Sequence, residues 1–431
     1  MLLVYRDDCS FAEKIKPLQS RTAFSSDIDQ AVRQILEEVR QQGDRALLRF
    51  AEKFDQAKLT PQQFLVGAEE FAAAAAQVDE ESKAAIKLAI AQVQDFALQK
   101  KPHNWSYSPR PGVTLGEQFF PLQRVGCYIP GGTAPLISTV IHTVAIAAAA
   151  GVEETVVVTP PGKDGSINAA LLYACEQAGA SQVYRLGGVY GIAALAYGSE
   201  SVAKVEKIVG PGNAYVTAAK RLVYGEVALD LVAGPSEIMI IAAAGANAAF
   251  IAADMLSQAE HGSGHEQAVL LSTSADLLPQ VEAELYRQSQ QLSRSACVDQ
   301  VLQNGVFLIE VKDLDEAASL ASEYAPEHLE LMVAEPEKLA PKIKAAGAIF
   351  MGHWCPEPLG DFIAGPSHVL PTGGSGRFFN GLSIEMFFRR SSLLHYEKEA
   401  LLKEIPAILK FAENEGLDAH GNSAAIRKTA Q

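Results

Sequence analysis

The stretch Val125-Gly-Cys-Tyr-Ile-Pro-Gly-Gly132 marks the point at which the chain changes character. It is typical of a buried strand that runs into a proline and glycine loop. Downstream of it, short β-branched runs alternate with alanine-rich helical patterns as far as about residue 350. Strands that alternate with helices indicate parallel sheets with helices on both faces. The sequence therefore predicts an α/β fold.

The alternation falls into two blocks, and we interpret them as two Rossmann-like parallel-sheet domains, one inserted in the other. The predicted strands after residue 125 are 155–159, 183–186 and 207–209 in the first block, and 238–242, 268–271, 306–311, 329–333 and 348–351 in the second. Before the first block, helices are predicted over 24–56 and 78–100. After the second, helices are predicted over 383–390 and 397–413, followed by an extended polar tail from residue 415.

These patterns predict four domain boundaries. The predicted parts are an N-terminal extension at 1–24, a discontinuous α/β domain at 25–127 and 238–372, an inserted α/β domain at 128–237, and a C-terminal helical tail at 373–431. The discontinuous domain is expected to carry the metal and catalytic residues, and the inserted domain the cofactor side.

Composition excludes several classes of partner. The net charge of -15 among 431 residues argues against nucleic acid and anionic membranes. The sequence has no apolar run of about 18 residues, so no membrane span is predicted, and its N-terminus lacks the apolar core of a signal peptide. Its five cysteines are far apart, without a CxxC pair, which favours a reducing, cytoplasmic setting.

Glycine loops stand where predicted strands end, although no GxGxxG motif follows any strand. The loops are Gly187-Gly188, Gly210-Pro-Gly-Asn213 and Gly234-Pro-Ser236. Ligands of open α/β sheets bind outside the carboxyl ends of the strands. We therefore expect the three loops to share one crevice, in which any nucleotide would have to bind without the usual fingerprint.

A candidate ligand pair ends the helix that follows strand 238–242. Gln258 and His261 stand three residues apart and so share a helix face, and Gly262 and Gly264 then end the helix. An amide oxygen and an imidazole nitrogen would supply half of a coordination shell. Taken alone, the stretch fits a capped helix with an exposed glutamine and histidine better.

Three further segments pair a carboxylate with an imidazole. Glu327 and His328 are adjacent between a helix and a strand, which suits acid-base work near neutral pH, although an isolated pair of this kind is more often a solvated turn. The other two pairs are Asp361 with His368, and Glu415 with His420. Gln258, His261, Asp361 and His420 together would make a nitrogen and oxygen tetrad for Zn²⁺ or Mn²⁺.

Seven motifs along the chain carry a resemblance to a known family. They are Tyr128-Ile-Pro-Gly-Gly132, Val209-Gly-Pro-Gly-Asn213, Ala233-Gly-Pro-Ser-Glu237, Gln258-Ala-Glu-His261, Glu323-Tyr-Ala-Pro-Glu-His-Leu-Glu330, Gly360-Asp361 with His368-Val-Leu-Pro-Thr372, and Glu415-Gly-Leu-Asp-Ala-His420. In order and over nearly the whole length, the chain resembles the histidinol dehydrogenase family. The resemblance implies oxidation of L-histidinol to L-histidine, the last step of histidine biosynthesis, through an aldehyde in two NAD-dependent steps.

The resemblance also implies a role for each matching residue. It implies one zinc per site, bound by Gln258, His261, Asp361 and His420, with Glu327 and His328 as the catalytic pair. The implied substrate-binding residues are Ser236, Gln258, His261, His328, Asp361, His368, Glu415 and His420, and the implied cofactor-binding residues are Tyr128, Tyr190 and Asn213. It further implies a homodimer whose C-terminal tails are exchanged, so that Glu415 and His420 reach the partner's site.

Two positions depart from the family pattern, and two other functions stay open. Tyr190 stands where relatives usually have glutamine, and Ile146 where they usually have proline; both departures fall on the predicted cofactor side. One alternative is a zinc and NAD dehydrogenase of the same fold that acts on another small polar alcohol, such as a sulfonated diol. The other is a paralogue that binds metal without turnover, against which the intact Glu327 and His328 argue.

Overall fold

The computed structural model describes residues 1–19, 21, 26–131 and 135–429, without the side chains of residues 17 and 19. It has the expected α/β architecture, with parallel sheets and covering helices. The strands are β1 Leu2–Val4, β2 Trp105–Arg110, β3 Val113–Pro121, β4 Arg124–Tyr128, β5 Glu154–Thr159, β6 Gln182–Arg185, β7 Lys207–Val209, β8 Ala228–Leu229, β9 Glu237–Ala242, β10 Gln267–Ser272, β11 Val306–Glu310, β12 His328–Met332, β13 Ala348–Met351 and β14 Phe388–Tyr396.

Helices connect most of these strands. They are α1 Phe11–Ile15, α2 Ser26–Gln42, α3 Asp44–Phe50, α4 Ala68–Gln77, α5 Glu80–Leu98, α6 Ile137–Val140, α7 Ile146–Ala150, α8 Ala169–Ala178, α9 Gly188–Tyr197, α10 Ala214–Val223, α11 Ala248–Ala259, α12 Leu277–Ser289, α13 Ser295–Asn304, α14 Leu314–Tyr324, α15 Pro336–Leu339, α16 Glu357–Phe362, α17 Lys398–Glu415 and α18 Asp418–Ala425. A π-helical turn, Ile141–Ala145, joins α6 to α7.

By its internal contacts the chain divides into two units, which are described separately. The first unit comprises residues 1–100 and 122–386. It contains a six-stranded parallel sheet in the order β1-β11-β10-β9-β12-β13. Every residue of β9 and β12 is buried, as expected for central strands of a sheet covered on both faces.

The second sheet of the first unit has five parallel strands in the order β6-β5-β4-β7-β8. Its core packs the apolar faces of α2, α9 and α10, and Tyr190 is one of the largest fully buried side chains there. The chain leaves this sheet at the carboxyl end of β8. It then enters the six-stranded sheet at the amino end of β9.

The second unit comprises residues 101–121 and 387–431. It contains a three-stranded antiparallel sheet, β14-β3-β2, followed by α17 and α18. The strands β14 and β3 pair over nine positions, from Phe388 with Pro121 to Tyr396 with Val113. Glu415 is the last residue of α17, and His420 lies on α18; both are exposed.

Two details of the predicted secondary structure are wrong at the C-terminus. The helix predicted over 383–390 is a short 3₁₀ turn, Ile384–Phe387, followed by β14. The segment after residue 415 is not extended, because Gly416 (φ 69°) ends α17 and α18 begins two residues later. The segment after residue 415 has too few apolar residues to show a helical period, and for this reason its sequence predicted an extended tail.

Other segments differ in extent. Gly43 divides the helical stretch predicted over 24–56 into α2 and α3, which is the interruption that a glycine at this position predicts, and a π-helical turn, Ala51–Asp55, follows α3. Residues 24 and 25 lie outside the described residues, as does Gly132 of the opening stretch. The helices α13 and α16 and the strand β1, which pairs with β11, were not predicted. No helix in the described part of the chain is long and apolar enough to cross a membrane.

Candidate active site

Carboxylates and histidines gather at the amino-terminal edge of the six-stranded sheet. Glu237 begins β9, and His328 begins the neighbouring β12, where it is paired in register with Ile238. The helix α11 follows β9 and runs back across the sheet, so its last turn brings Gln258 to the same edge. We call this group the acid–histidine edge; its members are Glu237, Gln258, His261, Glu327, His328, Glu357, Asp361 and His368.

The predicted metal ligands of the first unit do meet at this edge. The Nε2 atom of His261 lies 3.7 Å from Oδ2 of Asp361, and Oδ1 of Asp361 lies 3.8 Å from Nε2 of His328. The side chain of Gln258 is fully buried and lies between the two imidazoles, with Oε1 2.9 Å from Nδ1 of His328 and Nε2 3.2 Å from Nδ1 of His261. Asp361 is therefore the carboxylate around which the histidines converge.

Three imidazoles of this edge share one tautomer. In each ring the Nδ1 atom lies close to a backbone carbonyl oxygen. Nδ1 of His261 lies 3.1 Å from that of Gln258, Nδ1 of His328 lies 3.2 Å from that of Glu237, and Nδ1 of His368 lies 3.1 Å from that of Asp361. A carbonyl oxygen only accepts hydrogen bonds, so in each ring Nδ1 carries the proton. The Nε2 atoms of His328 and His368, whose pKa values are lowered, therefore present lone pairs for a proton or a metal ion, whereas the raised pKa of His261 means that its ring holds a proton more firmly.

Glu327 and His328 are both held by the backbone of Glu237. The N–H of Glu237 donates to Oε2 of Glu327 at 2.9 Å, and the same oxygen lies 3.8 Å from Nδ1 of His328. Burial raises the pKa of Glu327 well above its usual range and lowers the pKa of His328 to about 4. At neutral pH His328 is therefore an uncharged imidazole that can accept a proton at Nε2.

Charge coupling orders the remaining groups. Burial opposes ionisation of Asp361, but the hydrogen bond and charge of His261 and the other two imidazoles outweigh it and lower the pKa of Asp361. The same partnership raises the pKa of His261 against the effect of burial. Asp361 is thus an ionised carboxylate among imidazoles, an arrangement suited to a cation or a nitrogen-rich ligand.

Three acidic residues here received no role in the sequence analysis. Glu357 lies with Oε1 4.0 Å from Nε2 of His328 and accepts a hydrogen bond from the Ser257 hydroxyl at 2.7 Å; burial and the charge of Asp361 raise the pKa of Glu357 to about 8. Glu330 and Asp254 form a buried pair beside it, and burial and Asp254 raise the pKa of Glu330. The sequence offers one indication of Glu330, because an acidic residue between the apolar residues of a buried strand, Leu329-Glu-Leu331, needs a partner.

A fourth missed residue is His142, in the π-helical turn. Its ring stacks on that of His368, with the centroids 4.5 Å apart and an interplanar angle of 22°. The ring is fully buried, and neither of its nitrogens makes a hydrogen bond within the described residues. Burial and the neighbouring His368 lower its pKa to about 3, so the stack joins two neutral rings. A histidine in an apolar helix gave no pattern that sequence analysis could use.

The predicted cofactor residues lie elsewhere, at the carboxyl edge of the five-stranded sheet. We call this the glycine edge; it consists of Tyr128, Gly187–Gly188, Tyr190 and Gly210–Asn213. The hydroxyl of Tyr128 accepts the N–H of Gly188 at 3.2 Å, and the Asn213 side chain caps α10 by accepting the N–H groups of Tyr215 and Val216. The hydroxyl of Tyr190 donates to Asp55, and Tyr190 itself lies within α9.

A buried ion pair holds the Gly210–Asn213 loop of the glycine edge in place. The Lys220 ammonium donates to Oδ1 of Asp230 at 2.5 Å and to the carbonyl oxygen of Gly210 at 2.7 Å, while Oδ2 of Asp230 accepts the N–H of Gly210 at 2.7 Å. Both peptide groups of Gly210 are thereby held, which fixes the loop that follows β7.

The expected single crevice at strand carboxyl ends is wrong for one of the three glycine loops. Gly187–Gly188 and Gly210–Asn213 do follow the carboxyl ends of β6 and β7, but Gly234–Ser236 leads into the amino end of β9. Ser236 is half-buried there, and its carbonyl oxygen accepts the N–H of Gln267 at 3.2 Å. Glu415 and His420 belong to the second unit, whereas the acid–histidine edge is described within the first.

The residues of the acid–histidine edge fit a metal ion. His328, Glu357 and Asp361 offer ligand atoms within 4.8 Å of one another. The imidazole–carboxylate separations of 3.7 and 3.8 Å exceed hydrogen-bond length, so these donors face a common space. The buried Nε2 of His368 makes no hydrogen bond within the described residues. Imidazole nitrogens with carboxylate and amide oxygens are donors that Zn²⁺ accepts.

Comparisons with known proteins show which family the chain resembles. The sequence profile of the family described as histidinol dehydrogenase matches residues 18–428. The chain is 42% identical over 428 residues to a histidinol dehydrogenase of Syntrophotalea carbinolica, covering 99% of both chains. It is 44% identical over 396 residues to that of Gloeobacter violaceus, covering 92% of this chain and 89% of the relative.

A solved structure is similar over the same extent. The crystal structure of histidinol dehydrogenase from Elizabethkingia anophelis superposes with a TM-score of 0.93 at 35% identity, covering 99% of this chain and 98% of that one. Identity at this level over nearly the full length is shared by family members with the same fold. This protein therefore belongs to the histidinol dehydrogenase family.

Proposed function

We propose that this protein is an NAD-dependent oxidoreductase that converts L-histidinol to L-histidine through L-histidinal, the last step of histidine biosynthesis. The observation that carries the proposal is the convergence of Gln258, His261, Glu327, His328 and Asp361 at one edge of one sheet, in a chain that belongs to this family. Alcohol oxidation needs a base for the hydroxyl proton and an acceptor for the hydride. The acid–histidine edge supplies the base, and NAD is the acceptor.

His328 is the base in both oxidations. Its Nδ1–H is engaged by the carbonyl oxygen of Glu237, and its neutral Nε2 faces Asp361 across 3.8 Å. The Nε2 atom takes the proton from the alcohol, and in the second oxidation it takes one from the hydrated aldehyde. A base that is already neutral at pH 7 needs no prior deprotonation to act.

Glu327 orients and activates the water that adds to the aldehyde. One of its oxygens is fixed by the Glu237 N–H, which leaves the other for a water molecule. The first oxidation consumes no water, so this role belongs to the second step alone. The division of labour gives the two residues different effects on the two half-reactions.

Zinc is proposed to be held by Gln258, His261 and Asp361, with His420 as the fourth ligand. When bound, zinc would supply a positive charge that fixes the nitrogen atoms of histidinol next to the base. The chain's own contribution is to hold the ligand atoms in place: Gln258 is fully buried, and the His261 ring is oriented by the Gln258 carbonyl oxygen. His368, Ser236 and Glu415 are proposed to contact the substrate.

His420 and Glu415 are proposed to come from a second copy of the chain. Both are exposed residues of the helical C-terminal segment, and a homodimer with exchanged tails would complete two sites. Neither His420→Ala nor Asp361→Ala should be active alone. Co-folding the two variants should restore activity, because one site of each mixed dimer then carries both lesions and the other carries none. A mixture that stays inactive would place all four ligands in one chain.

Tyr128, Tyr190 and Asn213 are proposed to form the cofactor side. Tyr128 contacts the Gly187–Gly188 loop directly, and Asn213 ends the Gly210–Asn213 loop by capping α10. The Tyr190 hydroxyl is occupied by Asp55, so Tyr190 acts by holding the first turn of α9. The domain division at 25–127 with 238–372, and at 128–237, is part of the same proposal, as is a cytoplasmic location. The five cysteines are free, in keeping with a reducing setting.

The proposal is tested by measuring product stoichiometry. Purified protein with zinc, NAD⁺ and histidinol should form two NADH per histidine released, and sulfonated diols in place of histidinol should give none. Thermal melting with each compound provides a second readout, because ligands that bind the native state raise Tm. NADH formation from a sulfonated diol but not from histidinol would favour the alternative dehydrogenase. Stabilisation by zinc without turnover of any alcohol would favour a non-catalytic paralogue.

A further inference from the structure

Glu237 touches both members of the proposed catalytic pair through its backbone. Its N–H donates to Glu327 at 2.9 Å, and its carbonyl oxygen accepts Nδ1–H of His328 at 3.2 Å. The peptide units on either side of Glu237 thus help to set the orientation of the carboxylate and the tautomer of the imidazole, together with Oε1 of Gln258, which lies 2.9 Å from the same Nδ1 atom. Any displacement of the start of β9 would disturb both.

The side chain of Glu237 is buried and bound by two partners, which hold the start of β9 in place. It is 3% exposed, and its Oε1 atom lies 2.5 Å from Nη1 of Arg21 and accepts the N–H of Gly373 at 3.1 Å. Burial raises the pKa of Glu237, and the charge and hydrogen bond of Arg21 oppose that rise. A carboxylate at this depth is tolerated only with such partners.

Arg21 is in turn held by the helix that leads to the catalytic pair. Its guanidinium lies 3.6 Å from the ring centroid of Tyr324 and donates to the Tyr324 carbonyl oxygen. The Tyr324 hydroxyl donates to Gln267 at 2.8 Å, and Gln267 is the register partner of Glu237 on β10. The contacts therefore close a ring, Arg21 to Glu237 to Gln267 to Tyr324 and back, beneath the start of β9.

We infer that Arg21 and Glu237 are positioning residues for the reaction, which hold Glu327 and His328 in their working orientation. The inference rests on the proposed function. Without Arg21 the Glu237 carboxylate would be buried and unpaired, and it would move toward water or take up a proton. Either change displaces the peptide units that hold the pair, and a displacement of about 1 Å at reacting groups costs roughly 10²-fold in rate.

The test compares Arg21→Met, Arg21→Lys, Glu237→Gln and the double variant Arg21→Met with Glu237→Gln. We expect kcat of Arg21→Met to fall about 10–100-fold, with KM for histidinol and for NAD changed less than about twofold. The fall in kcat should be larger for histidinal oxidation than for histidinol oxidation. Arg21→Lys should retain more activity than Arg21→Met. The double variant should recover activity relative to Arg21→Met, because no charge is then left unpaired.

A matched control separates positioning from stability. Asp44 is also a buried carboxylate of the first unit, bonded to the Ser201 hydroxyl and N–H, so Asp44→Asn should lower Tm without changing kcat per folded site. If Arg21→Met and Glu237→Gln behave like this control, with wild-type kcat in both half-reactions, the inference is overturned.

A spectroscopic readout keeps the inference independent of the proposed substrate. The Nδ1–H proton of His328 should give a slowly exchanging downfield NMR signal in the wild type, identified by its loss in His328→Ala. Arg21→Met should shift or broaden this signal, and Asp44→Asn should leave it in place. An unchanged signal in Arg21→Met would overturn the inference, whereas a wild type that fails to oxidise histidinol would overturn only the proposed function.

Discussion

The acid–histidine edge and the glycine edge stand at opposite ends of their strands. The first lies where β9 and β12 begin, and it is built from ionisable side chains and the Gln258 amide; most of them are buried, Asp361 and His368 are half-buried, and His261 is exposed. The second lies where β4, β6 and β7 end, and it is built from glycine loops and the backbone. The segment from Asp230 to Ser236 carries the chain from the end of β8 at one edge to the start of β9 at the other.

Under the proposed function, this difference divides two tasks between the edges. Proton transfer and metal binding need groups whose pKa values are shifted, and burial shifts those of Glu327, His328 and Glu357. Binding an extended cofactor needs close approach of the backbone, which glycines and the Lys220–Asp230 ion pair provide. Substitutions at the first edge should therefore lower kcat, and those at the second should raise KM for NAD.

The largest expected effect is loss of the metal. His261→Ala removes one of the proposed ligands from the end of α11, so activity and stoichiometric zinc should disappear together while the protein stays folded. Atomic absorption and circular dichroism check this. His265→Ala, which removes an exposed imidazole four residues further on, is the matched control and should keep both. Full zinc content in His261→Ala would remove His261 from the ligand set.

The next effect divides the acid–histidine edge itself. His328→Ala should slow both half-reactions by about 10²–10⁴-fold, because each needs a base, whereas Glu327→Gln should slow histidinal oxidation more than histidinol oxidation. Zinc content should not change in either. Stopped-flow measurement of NADH from histidinol and from histidinal separates the steps. Glu335→Gln, an exposed site beyond the other end of β12, serves as control; wild-type rates in both variants would make the pair ordinary structural residues.

A smaller effect is expected from the backbone of the glycine edge. Gly210 has φ 113°, and a Cβ there would lie 2.3 Å from the carbonyl oxygen of Tyr128. Gly210→Ala should raise KM for NAD about tenfold or more with KM for histidinol little changed, since strain in this region of φ costs about 1–2 kcal/mol before any clash. Gly225→Ala is the control, because Gly225 has φ 103° with no atom within 4 Å of an added Cβ. Equal effects of the two changes would assign the loss to backbone strain alone.

The smallest effect concerns the departure at Tyr190. Tyr190→Gln removes the hydrogen bond to Asp55, worth about 1 kcal/mol, so KM for NAD should change about fivefold and KM for histidinol should not. Tyr190→Phe keeps the ring near Phe50 and loses only the hydroxyl, which separates packing from hydrogen bonding. Equal shifts in the two KM values would show that Tyr190 does not act on the cofactor side.

Much of the acid–histidine edge could be predicted because its residues lie in unusual local contexts. Gln258 and His261 share a helix face before glycines, and Glu327-His328 precedes an apolar run, so the local sequence made them candidates and the resemblance to the family assigned their roles. Glu237, Arg21 and His142 could not be assigned roles in the same way. Their roles come from contacts across more than 80 residues of sequence, such as Glu237 with Glu327 and Arg21 with Glu237, and no local pattern encodes such a contact.

The sequence by itself determined the α/β class, the order of most strands and helices, and the identity of the family. Apolar periodicity is a local property, and it is visible wherever a strand or helix buries one face. Only the tertiary structure decided that Gly234–Ser236 serves the amino edge of one sheet, while Gly187–Gly188 and Gly210–Asn213 serve the carboxyl edge of another. Which end of a strand a loop joins, and which buried carboxylates stay charged, depend on strand order and on neighbours brought together by folding.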